Sequence, residues 1–131
     1  MGRKSRTKGR LGEQELVNLA IECGFRHARR GSPMQAAGAD GLADVDGIPA
    51  LWAEAKRYRR TPVARLLAEL LATDRPEHVT ALFWRDDGRE WRAALDARAF
   101  LRLYRELHEL RSAVRGLRCE VERAKGLDVE R

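Results

Sequence analysis

The last third of the chain restricts its possible folds more than any other part. Behind Asp96, the residues Phe100, Leu103, Leu107, Leu110, Val114, Leu117 and Val121 alternate three and four positions apart. Apolar residues at that spacing fall on one stripe of a helix, and three heptads with Arg and Glu on the flanks form a coiled-coil seam. Asp96 is placed to cap its start. A small core cannot easily cover so long a seam, so residues 97–131 read as a long helix that pairs with another chain. A homodimer is the natural partner. The other reading is a helix folded back on its own domain. In either case the first 96 residues must build the globular fold.

Those residues change periodicity several times. Leu16, Val17 and Ala20 lie at helical spacing within residues 12–23, with Gly24 as the cap. Glu13 falls on that same apolar face, where an acid needs a partner or a task. Residues 25–30 suggest a short strand, and 31–41 a loop. Strands are expected at 42–46 and 51–57, joined tightly through Gly47, Ile48, Pro49 and Ala50. Thr61 and Pro62 read as N-cap and first turn of a helix bearing Val63, Leu66, Leu67, Leu70 and Leu71. Strands at 79–84 and 91–95 flank a turn at Asp86, Asp87 and Gly88. This order predicts an α/β fold, a central mixed sheet flanked by helices. Residues 1–10 read as a flexible basic arm and 11–96 as the core.

The chemistry is concentrated in the expected hairpin. Along the second strand Trp52, Glu54 and Lys56 share one face, while Leu51, Ala53 and Ala55 share the other. If the chain reverses near residue 49, Asp44 comes opposite Glu54 or diagonal to it. Two carboxylates brought together repel unless a cation joins them, and a hard divalent ion suits oxygen ligands. Mg²⁺ between Asp44 and Glu54, with Mn²⁺ able to substitute, would polarise a phosphate oxygen and acidify a bound water. Lys56 would position that water or offset charge in the transition state. The backbone carbonyl of Ala55 is a further candidate ligand, and Glu13 another, directly or through water. Asp46 is a reserve ligand.

At these residues the chain resembles the PD-(D/E)XK nuclease superfamily, in which an Asp precedes a hairpin ending in Glu-x-Lys. Asp44 and Glu54-Ala55-Lys56 carry that pattern. It is similar more narrowly to archaeal and phage-type Holliday junction resolvases and small phage endonucleases. Their order of Lys-Gly, helix Glu and Gly-Phe is repeated by Lys8-Gly9, Glu13 and Gly24-Phe25. Ser32, Gly38 and Gly41 match their loop. The resemblance spans residues 4–96. It implies a restriction-endonuclease-like fold and a metal-dependent endonuclease acting on branched or otherwise structured DNA, usually as a dimer. Two positions depart from it: Ala43 replaces the proline before the metal-binding Asp, and Glu69 stands where related phage sequences carry Gln.

Charge agrees with a polyanionic partner. The net charge is +6, and Arg3, Lys4, Arg6, Lys8 and Arg10 crowd the first ten residues without an acid. Arg29 and Arg30 precede the loop, Ser32 lies in it, and Arg57, Arg59 and Arg60 follow the Glu-x-Lys element. All are candidate DNA contacts. A non-catalytic DNA-binding dimer, or a subunit of a larger assembly, is the alternative that the basic residues serve equally well. No apolar run approaches the ~20 residues of a membrane span, and no secretory signal is evident. Cys23 and Cys119 show no ligand spacing and read as reduced, half-buried thiols in the cytoplasm of a bacterium or phage-infected cell. His27, His78 and His108 share no spacing, and Trp52, Trp84 and Trp91 read as core or sheet-face residues.

Overall fold

The computed structural model describes residues 3–31 and 42–129, with side chains described for 6–31 and 42–126. The expected loop with Ser32, Gly38 and Gly41 therefore lies outside the described residues, as do the side chains of Arg3 and Lys4. The chain divides into two compact units, Met1–Asp96 and Ala97–Arg131.

The first unit runs α1 (Arg3–Glu22), β1 (Arg29–Arg30), β2 (Val45–Asp46), β3 (Leu51–Tyr58), α2 (Val63–Leu71), β4 (Val79–Asp86) and β5 (Arg92–Ala94). The five strands form one sheet in sequence order. It is mixed: β3 and β4 run parallel, and the remaining neighbours antiparallel. The parallel pair demands a crossover, and α2 supplies it. The class is thus α/β, a mixed sheet flanked by helices, with the long C-terminal helix beyond it.

Two faces of the sheet follow from strand alternation. Val45 and Ala53 are fully buried beneath α1, together with Leu16, Val17 and Ala20, and Leu51, Ala55 and Phe83 pack against them. Burying each larger aliphatic side chain in this cluster contributes about 1.5–3 kcal/mol. Leu82, between Ala81 and Phe83, must point the other way. It is nevertheless buried, on the side left to α2, which contacts β4 and buries Leu66.

Several expected boundaries move. Residues 3–10 are not an arm but the opening turns of α1, whose C-terminus closes with Gly24 N–H to Ile21 and Phe25 N–H to Ala20. Arg and Lys favour helix without needing an apolar stripe, so periodicity marks only the part of α1 that is buried. Lys8 is also tied to Asp87 at 2.8 Å. The strand expected at 25–30 shrinks to Arg29–Arg30, and that at 42–46 to Val45–Asp46. Pro62, not Thr61, occupies the N-cap of α2 without a side-chain cap bond, while the Thr61 N–H donates to Asp86 at the end of β4. The β2–β3 turn depends on Gly47 (φ +83°), where any Cβ would collide with the His27 carbonyl. Cys23 and Cys119 are free and exposed rather than half-buried.

The second unit is α3 (Ala97–Val129), 33 residues long and unbroken at Gly116 and Gly126. As a lone helix it has no second element of its own to cover the seam, and all seven seam residues are exposed. No described helix is long and apolar enough to cross a membrane.

Candidate active site

Val45 is paired with Ala53, and extending that register puts Asp44 opposite Glu54. At Asp44 the strand gives out. The Ala43 carbonyl lies against Gly31, so closely that a Cβ there would collide with it. The Ala55 N–H instead donates to Asp44 Oδ2 at 2.9 Å, so a side-chain carboxylate stands where a backbone acceptor would. N–H and C=O of one strand residue leave by the same edge. The Ala55 carbonyl therefore faces the edge that Asp44 occupies.

Ala53 and Ala55 pack beneath α1, so Trp52, Glu54 and Lys56 share the opposite face. Glu54 is half-buried. Trp52 Nε1 donates to its Oε1 at 3.0 Å. The Trp52 indole is itself fixed, with the Arg75 guanidinium 4.1 Å above the ring and His78 edge-on. Arg75 also donates to the Leu70 carbonyl. Burial, then hydrogen bonding to Asp44 and repulsion from it, push the Glu54 carboxyl from 4.5 up to about 7. The Trp52 N–H and the Lys56 charge oppose that rise without cancelling it. Near neutral pH Glu54 thus still tends to hold its proton, chiefly because it is buried and then because Asp44 lies beside it. Lys56 forms no ion pair with a described residue.

Glu13 does not join this pair. It accepts Arg30 Nε and Nη2, both at 2.9 Å, and Arg30 stands opposite Val45, whose side chain lies beneath α1. The acid on the apolar face of α1 has its partner. Asp46 is likewise engaged, by Arg29 at 2.8 Å. Among the described residues no three His, Cys, Asp or Glu side chains gather closely enough to hold a metal. What the fold assembles is a two-carboxylate edge with a neighbouring lysine and backbone carbonyl.

The candidate DNA contacts divide into two groups. Lys8, Arg29, Arg30 and Arg57 are paired with Asp87, Asp46, Glu13 and Glu15. Arg6 and Arg10 on α1, and Arg59 and Arg60 after β3, are exposed. Arg57 belongs to a cluster that sequence reasoning missed. Glu15 accepts Arg57 at 2.9 Å, Arg85 at 2.7 Å and Trp91 Nε1 at 3.2 Å, clamping α1 to β3, β4 and the start of β5. No local motif marks it, because its partners lie 42 to 76 residues away. The Arg75–Trp52–His78 support was equally invisible, since it forms only when α2 returns the chain to the sheet.

Set against known protein families, curated proteins and solved structures, the chain matches none.

Proposed function

We propose that this chain is a Mg²⁺-dependent DNA endonuclease of the restriction-endonuclease-like class, cutting branched DNA in the manner of the junction resolvases it resembles. The observation that carries the reading is the Asp44 carboxylate held by the Ala55 N–H at the edge of β3, where the register sets it opposite Glu54, with Lys56 on the Glu54 face. Two acids holding one proton between them are a natural seat for a divalent cation in its place. Asp44, Glu54 and the Ala55 carbonyl would hold Mg²⁺, which supplies Lewis-acid polarisation of phosphate and an acidified water. Mn²⁺ would serve the same oxygen donors.

The chain's own groups do the rest. Trp52 fixes Glu54, leaving its second oxygen for the shared site. Lys56, uncommitted to any described acid, places a positive charge beside the scissile phosphate. Arg6, Arg10, Arg59 and Arg60 are exposed cations suited to the phosphate backbone. For Glu13 to serve as a ligand, Arg30 must release it. In this reading the protein acts in the cytoplasm of a bacterial or phage-infected cell, as a homodimer through α3.

The Glu13–Arg30 pairing favours one alternative, a DNA-binding dimer that keeps the fold without the chemistry. Incubating four-way, flap, nicked and linear duplex DNA with Mg²⁺ separates the two. Cleavage by the wild type that is lost in Glu54→Gln, with binding retained, supports the nuclease. Salt-sensitive binding without scission in Mg²⁺ or Mn²⁺ supports the alternative.

A further inference from the structure

The seam of α3 carries more than an apolar stripe. In heptad terms, Phe100, Leu107, Val114 and Val121 take position a, and Leu103, Leu110 and Leu117 take position d. Leu at every one of these d positions, with β-branched Val at the later a positions, is the combination that favours two parallel strands over three or four. The flanks then decide orientation. Position g holds Glu106, Ala113 and Glu120; position e holds Tyr104, Arg111, Arg118 and Lys125.

In a parallel, in-register pair each g residue meets the e residue five positions on in the partner. Glu106 would face Arg111 of the second copy, and Glu120 would face Lys125, each twice by symmetry. Antiparallel pairing brings g against g and e against e, setting Glu beside Glu and Arg or Lys beside Arg or Lys. Charge within α3 points the same way. Arg105 is paired with Glu109 at 2.9 Å on the outer f and c positions. Glu106, Arg111, Glu120 and Lys125 form no ion pair with a described residue and remain exposed.

We infer that α3 is a parallel, in-register, two-stranded coiled-coil surface whose partner is the α3 of a second copy of this chain. The seam from Phe100 to Val121 extends over roughly 30 Å at 1.5 Å per residue. The inference stands on α3 alone and does not depend on the nuclease reading.

The test uses the full-length chain in sedimentation equilibrium. The wild type is expected to be a dimer. Glu106→Lys with Glu120→Lys turns four attractive contacts into repulsions, and should weaken the dimer tenfold or more. Mixing it with Arg111→Glu, Lys125→Glu chains should restore a dimer containing one copy of each. In a Cys23→Ser, Cys119→Ser background, Leu117→Cys should cross-link to itself on oxidation, since a d position meets its own copy only when the strands are parallel and in register. Circular dichroism of each variant confirms that the helix survives. A monomeric wild type, a Glu-to-Lys variant that dimerises as tightly as the wild type, or a Leu117→Cys dimer that does not cross-link would each overturn the inference.

Discussion

Replacing Glu54 by Gln should make the metal-free protein more stable than the wild type at alkaline pH, and the advantage should disappear in acid. Glu54 sits against Asp44 with its carboxyl raised from 4.5 to about 7. The folded state holds this proton more tightly than the unfolded chain does. Its contribution to stability is therefore complete below pH 4.5 and is lost as pH rises through about 7. The full displacement would correspond to roughly 3 kcal/mol, and solvent reaching the half-buried group reduces this to about 2 kcal/mol. Gln is a permanently neutral analogue of the protonated acid, able to donate to Asp44 and to accept from Trp52 Nε1. Urea unfolding in EDTA, followed by circular dichroism from pH 4.5 to about pH 8, measures the difference between the two proteins. Groups that do not interact with Glu54 cancel in that difference. It should swing by about 2 kcal/mol in favour of Gln as pH rises. Parallel curves, agreeing to within about 0.5 kcal/mol at every pH, would refute the claim that Asp44 and burial hold the Glu54 proton. If the pair also takes Mg²⁺, millimolar Mg²⁺ at the alkaline end should raise the wild type alone, since only two ionised acids gain from the cation.

Two further substitutions probe what positions this edge. Glu15→Ala removes the shared acceptor of Arg57, Arg85 and Trp91, and should cost about 2 kcal/mol in urea unfolding after allowance for partial exposure; a loss below about 0.5 kcal/mol would mean the cluster is an incidental surface network. Gly31→Ala drives a methyl into the Ala43 carbonyl and should cost at least about 2 kcal/mol, with faster hydrogen exchange at the Ala55 amide as Asp44 loses its place.

Legibility of the fold tracked the range of the interactions that decide it. The strand Leu51–Tyr58 was evident to within one residue because alternation is a local signal, and the turn before it because Gly47 tolerates the positive φ of a tight turn and Pro49 fixes its own φ. The same alternation placed Trp52, Glu54 and Lys56 on one face. The start of α1 was not evident, because Arg3 to Arg10 carry no apolar period and are held by propensity and by Lys8 reaching Asp87, 79 positions away. The Thr61–Pro62 signal named a helix start correctly to within one residue. It missed that Asp86 takes the Thr61 N–H, a contact that exists only once β4 lies beside β3. Glu13 shows the same limit. Its position on the apolar face of α1 correctly demanded a partner, but sequence spacing could not distinguish Arg30 from a metal.

The short length of β2 is what makes the candidate site. Had the strand continued in register, the Ala43 carbonyl would have taken the Ala55 N–H and the Asp44 side chain would have been one more residue along a paired edge. Instead Ala43 closes on Gly31, and the Asp44 carboxylate itself bonds to Ala55. That bond fixes one Asp44 oxygen at the edge of β3. Trp52 donates to Glu54 Oε1, so each acid is anchored through one oxygen. Burial of Glu54, then hydrogen bonding to Asp44 and repulsion from it, raise the Glu54 carboxyl to about 7. A Glu-x-Lys sequence on a fully paired central strand would lack this arrangement. Among the described residues it is the end of β2 at Val45, together with the close approach of Ala43 to Gly31, that leaves the Asp44 carboxylate to take the Ala55 N–H.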